Sequence, residues 1–156
     1  MIFNKDFQEL DEKKNKYDFI YSIHVMEHIP DPKIFVRKII NSLTIDGRFV
    51  LEVPSIDDPL LSIYKIKEFN RFYWYPYHLY FYNKQTLKNL FAQFGEINYH
   101  IKLSQRYGIR NHLSWLIKRK PGSNNKKIPV LDGIYMFLLT KVLNVSDTII
   151  VHGEKK

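Results

Sequence analysis

The sequence has no cysteine, which excludes disulfides, a thiolate metal site and a cysteine nucleophile. Its six glycines stand singly, and no G-x-G-x-x-G-like segment occurs, so a glycine-rich loop that cradles phosphates is excluded too. Long apolar runs are also missing. The longest lies near Ile134 to Leu139, far below the roughly 20 residues a spanning helix needs. No charged start followed by an apolar core resembles a signal peptide. These absences predict a cytoplasmic protein without a membrane span. Internal repeats and low-complexity tracts are absent as well.

What is present is enough for one folded unit. The chain has 156 residues, 45% of them hydrophobic, which predicts a single domain over residues 1–156 with a real core. Lysine and arginine number 24 against 16 acidic residues, a formal charge of +8. Such an excess favours anionic partners: phosphates, nucleotides, nucleic acid or a membrane surface. The densest basic block, Lys118-Arg119-Lys120 with Lys126 and Lys127, is interrupted by Pro121, Gly122, Ser123, Asn124 and Asn125. It reads as a solvated loop rather than a rigid binding face.

Chemistry concentrates at residues 17–28. Phe19, Ile20, Tyr21 and Ile23 form an apolar run of strand length that gives way to His24, Glu27 and His28. The reading is a buried strand that ends in ionisable groups, and in open α/β sheets ligands gather beyond the carboxyl ends of the strands. If the chain turns helical after His24, the i, i+3, i+4 spacing sets all three side chains on one face. Two imidazoles and a carboxylate suit zinc, iron, manganese or, with added waters, magnesium. They equally suit a general base held in one tautomer, or a turn that they merely cap and hydrogen-bond.

Residues 1–16 read as a polar connector. Asp31 and Pro32 start a helix over about 32–43 whose Phe35, Ile39 and Leu43 face a sheet. Asp46-Gly47 supplies a turn, and Arg48 to Val53 a second strand closed by Pro54. Strand, helix and strand form a parallel βαβ unit. Asp57, Asp58 and Pro59 predict a helix from Leu60 to about Phe69. Nine of the fourteen residues from Phe69 to Tyr82 are aromatic, with His78 among them. So dense a cluster either stacks a planar ligand or packs as a lid, and residues 55–82 are read as an aromatic lid or insertion. Asn83 caps a helix carrying Leu87, Leu90, Phe91 and Phe94 and ending at Gly95. Strict alternation of Ile97, Tyr99, Ile101 and Leu103 predicts a half-buried strand. Helices over 109–117 and 134–145 and a last strand over 147–152 complete the reading.

The ordered series Tyr17-Asp18-Phe19-Ile20, His24-Val25-Met26-Glu27-His28-Ile29, Pro30-Asp31-Pro32 and Asp46-Gly47-Arg48-Phe49-Val50-Leu51-Glu52-Val53-Pro54 resembles the second half of a class I S-adenosylmethionine-dependent methyltransferase. The resemblance implies an α/β fold: a partial Rossmann-like methyltransferase sheet, a parallel βαβ followed by an antiparallel strand pair, with flanking helices. The family's glycine-rich cofactor loop has no counterpart, so a truncated or split form is expected. By resemblance, Asp6 and Phe7 match the place of adenine contact, and His24 stands at a strand end facing the methyl donor. A subset of the family binds a divalent metal at a Glu-x-x-Glu-His motif with a later histidine. Here the corresponding set is His24, Glu27, His28 and His78, and the altered first position suits zinc, manganese or iron better than magnesium.

The implied reaction is methyl transfer to an oxygen or nitrogen of a small molecule or saccharide, the saccharide being suggested by the aromatic block with Gln105-Arg106-Tyr107-Gly108 and Asn111-His112-Leu113. His24 or His28, or a metal-bound oxygen, would take a proton. The competing expectation is a non-catalytic, methyltransferase-derived binding or oligomerisation module. Loss of the strands that should cover the sheet centre would expose an apolar edge, so a homodimer, or pairing with a complementing N-terminal half, is expected. Nucleic acid is disfavoured because the charges and aromatics do not interleave.

Overall fold

A computed structural model describes residues 16–74, 76–122 and 128–156. The expected sites at Asp6 and Phe7, and the basic residues Lys126 and Lys127, lie outside the described residues. The elements are β1 (Tyr17–Ile23), α1 (Pro32–Ser42), β2 (Leu43–Pro54), α2 (Pro59–Ser62), α3 (Lys67–Tyr73), α4 (Lys84–Phe91), β3 (Ile97–Ser104), α5 (Ile109–Lys118), α6 (Pro129–Phe137) and β4 (Thr148–Lys155). Four strands among the described residues form one sheet in the order β1-β2-β4-β3. β1 and β2 are parallel, and β4 is antiparallel to both β2 and β3. This is the α/β sheet expected from the sequence, a parallel βαβ unit followed by an antiparallel pair.

The local signals act as their chemistry requires. Asp31 caps α1 by accepting from the amides of Lys33 at 2.9 Å and Ile34 at 3.0 Å, with Pro32 in the first turn. Asn83 and Thr86 form a reciprocal capping box on α4. Asp46 takes a left-handed φ of 59°, and a Cβ on Gly47 would press on the Thr44 carbonyl at 2.8 Å. The Asp-Gly pair therefore makes the sharp bend within β2, where the β1 register shifts between Tyr17 and Phe19.

The core lies on one face of the sheet. Phe35, Val36, Ile39 and Ile40 of α1 and Leu87 and Phe91 of α4 pack on Phe49, Leu51 and Val53 of β2 and Ile149 and Val151 of β4. Phe49 stacks on Phe91 at 6.0 Å between centroids. Its ring also lies against Gly153, the residue it pairs with in β4, so that a Cβ there would run into the ring.

Several expectations are corrected. β1 is not buried: among the described residues it is an edge strand, and Phe19 and Ile23 lie exposed while Tyr21 is 69% exposed. Both α1 and α4 cover the opposite face, so the alternation that sends Ile20 to the core sends Phe19, Tyr21 and Ile23 outward. The helix expected over residues 60–69 is two short helices. Lys65 takes a left-handed φ of 50°, and the Ile66 amide closes on the Leu60 carbonyl at 3.0 Å. That break lets Leu60, Ile66, Phe69, Tyr73 and Trp115 share a second apolar cluster. α4 stops at Phe91 rather than Gly95, through tight bonds from Gln93 to Leu90 and Phe94 to Phe91. α6 begins at Pro129, five residues before the expected start, because proline suits a first turn. A π-helical turn, Leu138–Val142, follows it.

Gly153→Ala is expected to lower stability by about 1–3 kcal/mol, because the added methyl overpacks against Phe49. Urea denaturation of the variant checks this, and an unchanged midpoint would mean that Phe49 has room to move.

Candidate functional site

The site begins where β1 ends. The His24 amide makes one more rung, to the Glu52 carbonyl at 2.9 Å, and His24 then takes a left-handed φ of 52°. A single 3₁₀ turn, Met26–His28, follows. The segment from Tyr77 to Tyr82 straps this turn down. The amides of Leu79 and Tyr80 donate to the Glu27 carbonyl at 2.8 and 3.1 Å. The hydroxyls of Tyr80 and Tyr82 donate to the carbonyls of Pro30 and Met26. The aromatic block is thus bonded to the turn that carries the ionisable groups.

The expected histidines occupy two environments. The Nη1 of Arg106 donates to His24 Nε2 at 2.8 Å. Guanidinium only donates, so His24 Nε2 accepts, and its Nδ1–H faces Glu27 Oε1 at 3.3 Å. The same Nη1 reaches Glu52 Oε1 at 3.3 Å. His28 donates from Nδ1 to the Tyr77 carbonyl at 2.8 Å, which leaves Nε2 with its lone pair, 3.9 Å from Glu27 Oε1. The His28 and His78 rings meet edge to face at 4.8 Å. Glu27, 1% exposed, His28 and His78 each offer a ligand atom within 4.8 Å of the others. His24 stands outside that trio. Glu27 Oε2 and His78 Nδ1 are buried with no hydrogen-bond partner, an arrangement that fits a bound divalent ion. Burial also pushes the His78 imidazole below its ordinary pKa, and the neutral form is the one that ligates.

The chain also builds a cavity that sequence reasoning missed. It encloses about 480 Å³ beyond the carboxyl ends of β1 and β2, where His24 and Pro54 meet Asp58, Phe69, Tyr73 and Arg106. Asp147 aims the arginine: its carboxylate accepts from the amides of Arg106 at 3.0 Å and Tyr107 at 3.0 Å and from Gln105 Nε2 at 2.8 Å. Tyr73 Oη is buried without a partner, and burial, then the carboxylates of Asp58 and Glu27, raise its pKa. Asp58 caps α2 through one oxygen, which accepts from the Leu60 amide at 2.7 Å. Burial pushes its carboxyl up to about 7. The sequence marked Asp58 only as a helix cap. Glu52, Arg106 and Asp147 come from three separate strand ends, and no spacing could have joined them.

Behind the cavity, Gln105 also reaches His112 Nε2 at 3.2 Å, and His112 Nδ1 meets the Tyr135 hydroxyl at 2.5 Å. Burial lowers the His112 imidazole to about 4. The ring is therefore neutral, and Nε2 accepts while Nδ1–H donates.

Beyond the strand ends of a Rossmann-like sheet, imidazoles and carboxylates facing an aromatic cavity make a candidate ligand-binding site. The profile described as "Methyltransferase domain" matches residues 2–98, and the chain belongs to that family. No curated protein matches the chain. Among solved structures, the chain is similar to a SAM-dependent methyltransferase from Archaeoglobus fulgidus, at 19% identity and TM-score 0.53, covering 91% of this chain and 61% of that one. A SAM-dependent methyltransferase from Thermotoga maritima matches at 15% identity and TM-score 0.58, covering 96% and 60%. The plantazolicin methyltransferase BpumL, in complex with an azolic desmethylPZN analogue and SAH, matches at 12% identity and TM-score 0.56, covering 99% and 57%. The chain thus spans about 60% of the length of these structures. Their likeness shows the fold. No described helix is long and apolar enough to cross a membrane.

Asp58 and His112 give opposite pH dependences. Asp58, raised from 3.8 to about 7, contributes stability that is complete below 3.8 and lost as pH rises through about 7. His112, lowered from 6.5 to about 4, contributes stability that is complete above 6.5 and lost as pH falls through about 4. Asp58→Asn keeps the cap, since an amide oxygen still accepts from Leu60. Relative to this variant, the wild type is expected to lose up to ~4 kcal/mol between pH 4 and pH 8. Urea denaturation across that range measures it, and a constant difference would mean that the Asp58 carboxyl is not shifted.

Proposed function

We propose that the chain carries the acceptor side of an S-adenosylmethionine-dependent methyltransferase that methylates an oxygen or nitrogen of a small molecule or saccharide. The observation that supports this reading is the cavity at the strand ends, into which the chain brings unsatisfied polar groups on an aromatic wall. The described residues fit the reacting end of the donor rather than its nucleoside. In this reading the nucleoside is held from outside these residues, by a complementing half or in a pocket shared with a second copy, with Asp6 and Phe7 on the adenine side. His24 lies closest to the donor.

S-adenosylmethionine supplies the methyl group as an electrophilic carbon on sulfur. The protein's part is to align the acceptor and to remove its proton. His24 lines the cavity, and its Nε2 takes that proton once Arg106 turns fully onto Glu52 and Asp147. Where no ion is bound, His28, whose tautomer is fixed by the Tyr77 carbonyl, is the second proton acceptor. Glu27, His28 and His78, with His24 on the outer side of Glu27, would hold a divalent ion, which supplies Lewis acidity to an acceptor oxygen. Residues 55–82 act as the lid that excludes water.

The exposed face of β1 favours a second reading, a methyltransferase-derived binding or oligomerisation module without catalysis. Calorimetric titration of the purified chain with S-adenosylmethionine, with and without manganese or zinc, separates the two. The enzyme reading expects micromolar binding, weakened about tenfold in His24→Gln by loss of one contact to the donor. No heat at millimolar cofactor would reject a pocket shared between copies of this chain and leave a complementing half or the module.

A further inference from the structure

α6 is turned the wrong way round for a helix that faces water. The one buried residue within Pro129–Phe137 is an aspartate, Asp132. Its carboxylate accepts from the amide of Ile109 at 2.9 Å and from that of Ile128 at 2.7 Å. A Cβ on Gly108 would strike this carboxylate. Asp132 thereby pins α6 to the start of α5 by its polar side. The apolar side has nowhere to go but outward: Val130, Leu131, Ile134, Leu138 and Val142 are exposed, and Phe137 is 59% exposed. On α5, Leu113 is exposed and Ile117 is 75% exposed. An apolar surface of this extent on a soluble domain marks something that binds there.

The charge around it says what. Between residues 109 and 145 the described chain carries Arg110, Lys118, Arg119, Lys120 and Lys141, all exposed, and a single acidic residue, the buried Asp132. The nearest carboxylate paired with this group is Glu68, 3.9 Å from Arg119. Apolar side chains flanked mainly by cations match a surface that is oily inside and negative at its rim. The chain's excess of positive charge is concentrated here, whereas the cavity is lined by carboxylates.

We propose that the outward face of α5, α6 and the turn Leu138–Val142 docks on an anionic lipid surface. The side chains of Ile134, Phe137 and Leu138 enter the boundary between headgroups and acyl chains. Lys118, Lys120 and Lys141 lie at the level of the phosphates. The protein rests on the membrane through this face without crossing it. Since the cavity plays no part in the contact, the inference stands apart from the methyltransferase reading.

The test is sedimentation of the full chain with vesicles of phosphatidylcholine alone and of phosphatidylcholine with phosphatidylglycerol. The expected result is pelleting with the anionic vesicles, reversed by high salt. Ile134→Asp with Phe137→Asp should weaken it about tenfold or more. Lys118→Gln with Lys120→Gln, which leaves the apolar face intact, should weaken it about fivefold for each charge removed. Ile45→Asp, an equally exposed apolar site elsewhere, should change nothing. Absence of pelleting, equal pelleting with neutral vesicles, or an effect of Ile45→Asp as large as that at Ile134 would overturn the proposal. So would a wild-type dimer that the Ile134 and Phe137 substitutions split, because the face would then be covered by a second copy.

Discussion

One hydrogen bond, from the His24 amide to the Glu52 carbonyl, sets the position of everything that follows β1. It carries the parallel ladder one residue past the strand, so the backbone is still held by β2 when it enters the left-handed region at His24. A residue anchored on both sides in that way has little freedom, and its imidazole is delivered to Arg106 and Glu52 rather than to solvent. The 3₁₀ turn that follows starts from a fixed point. The aromatic strap from Tyr77 to Tyr82 can therefore bond to the Glu27, Met26 and Pro30 carbonyls in register. Glu27 is buried as a consequence, with one carboxylate oxygen left without a hydrogen-bond partner beside His28 and His78.

The same ladder explains why the described helices of the main core lie on one face of the sheet. A parallel βαβ unit places α1 on one face, and α4 joins it there. Alternation along β1 then offers Ile20 to the core and Phe19, Tyr21 and Ile23 to the open face. Charge is divided as unevenly as apolar surface. A chain with eight excess positive charges lines its cavity with Asp58 and Asp147, and it keeps His78 and His112 uncharged by burial. Arg106 is the cation that holds this acidic corner together, through Asp147 on one side and Glu52 on the other.

Local signals were legible wherever a short-range interaction decides the outcome. Asp31-Pro32, Asp46-Gly47 and Asn83 with Thr86 act through bonds spanning a few residues, and they do in the structure what their chemistry predicts. The β3 alternation was legible for the same reason, whereas the antiparallel close of the sheet was expected from the family resemblance. The break at Lys65 was not, because its cause is distant: Ile66 must reach the cluster built by Trp115, about fifty residues away in sequence. α6 was misjudged in a related way. Its pattern is amphipathic, but the buried side is the one with the aspartate, and the amides that demand that carboxylate belong to Ile109 and Ile128. His24, Glu27 and His28 could be picked out from their spacing, and His78 from a resemblance. Asp58, Tyr73, Arg106 and Asp147 could not be assembled into a cavity by any spacing.

The sequence by itself determined the family, the order of the elements, the absence of a glycine loop and the clustering of ionisable groups after one strand, because each depends on residues adjacent in the chain. Tertiary structure decided which face of β1 the described helices leave uncovered, which two histidines gather with Glu27 as candidate ligands, and which side of α6 meets solvent. Those outcomes depend on where distant hydrogen-bond donors and apolar surfaces come to lie, and only the folded chain brings them together.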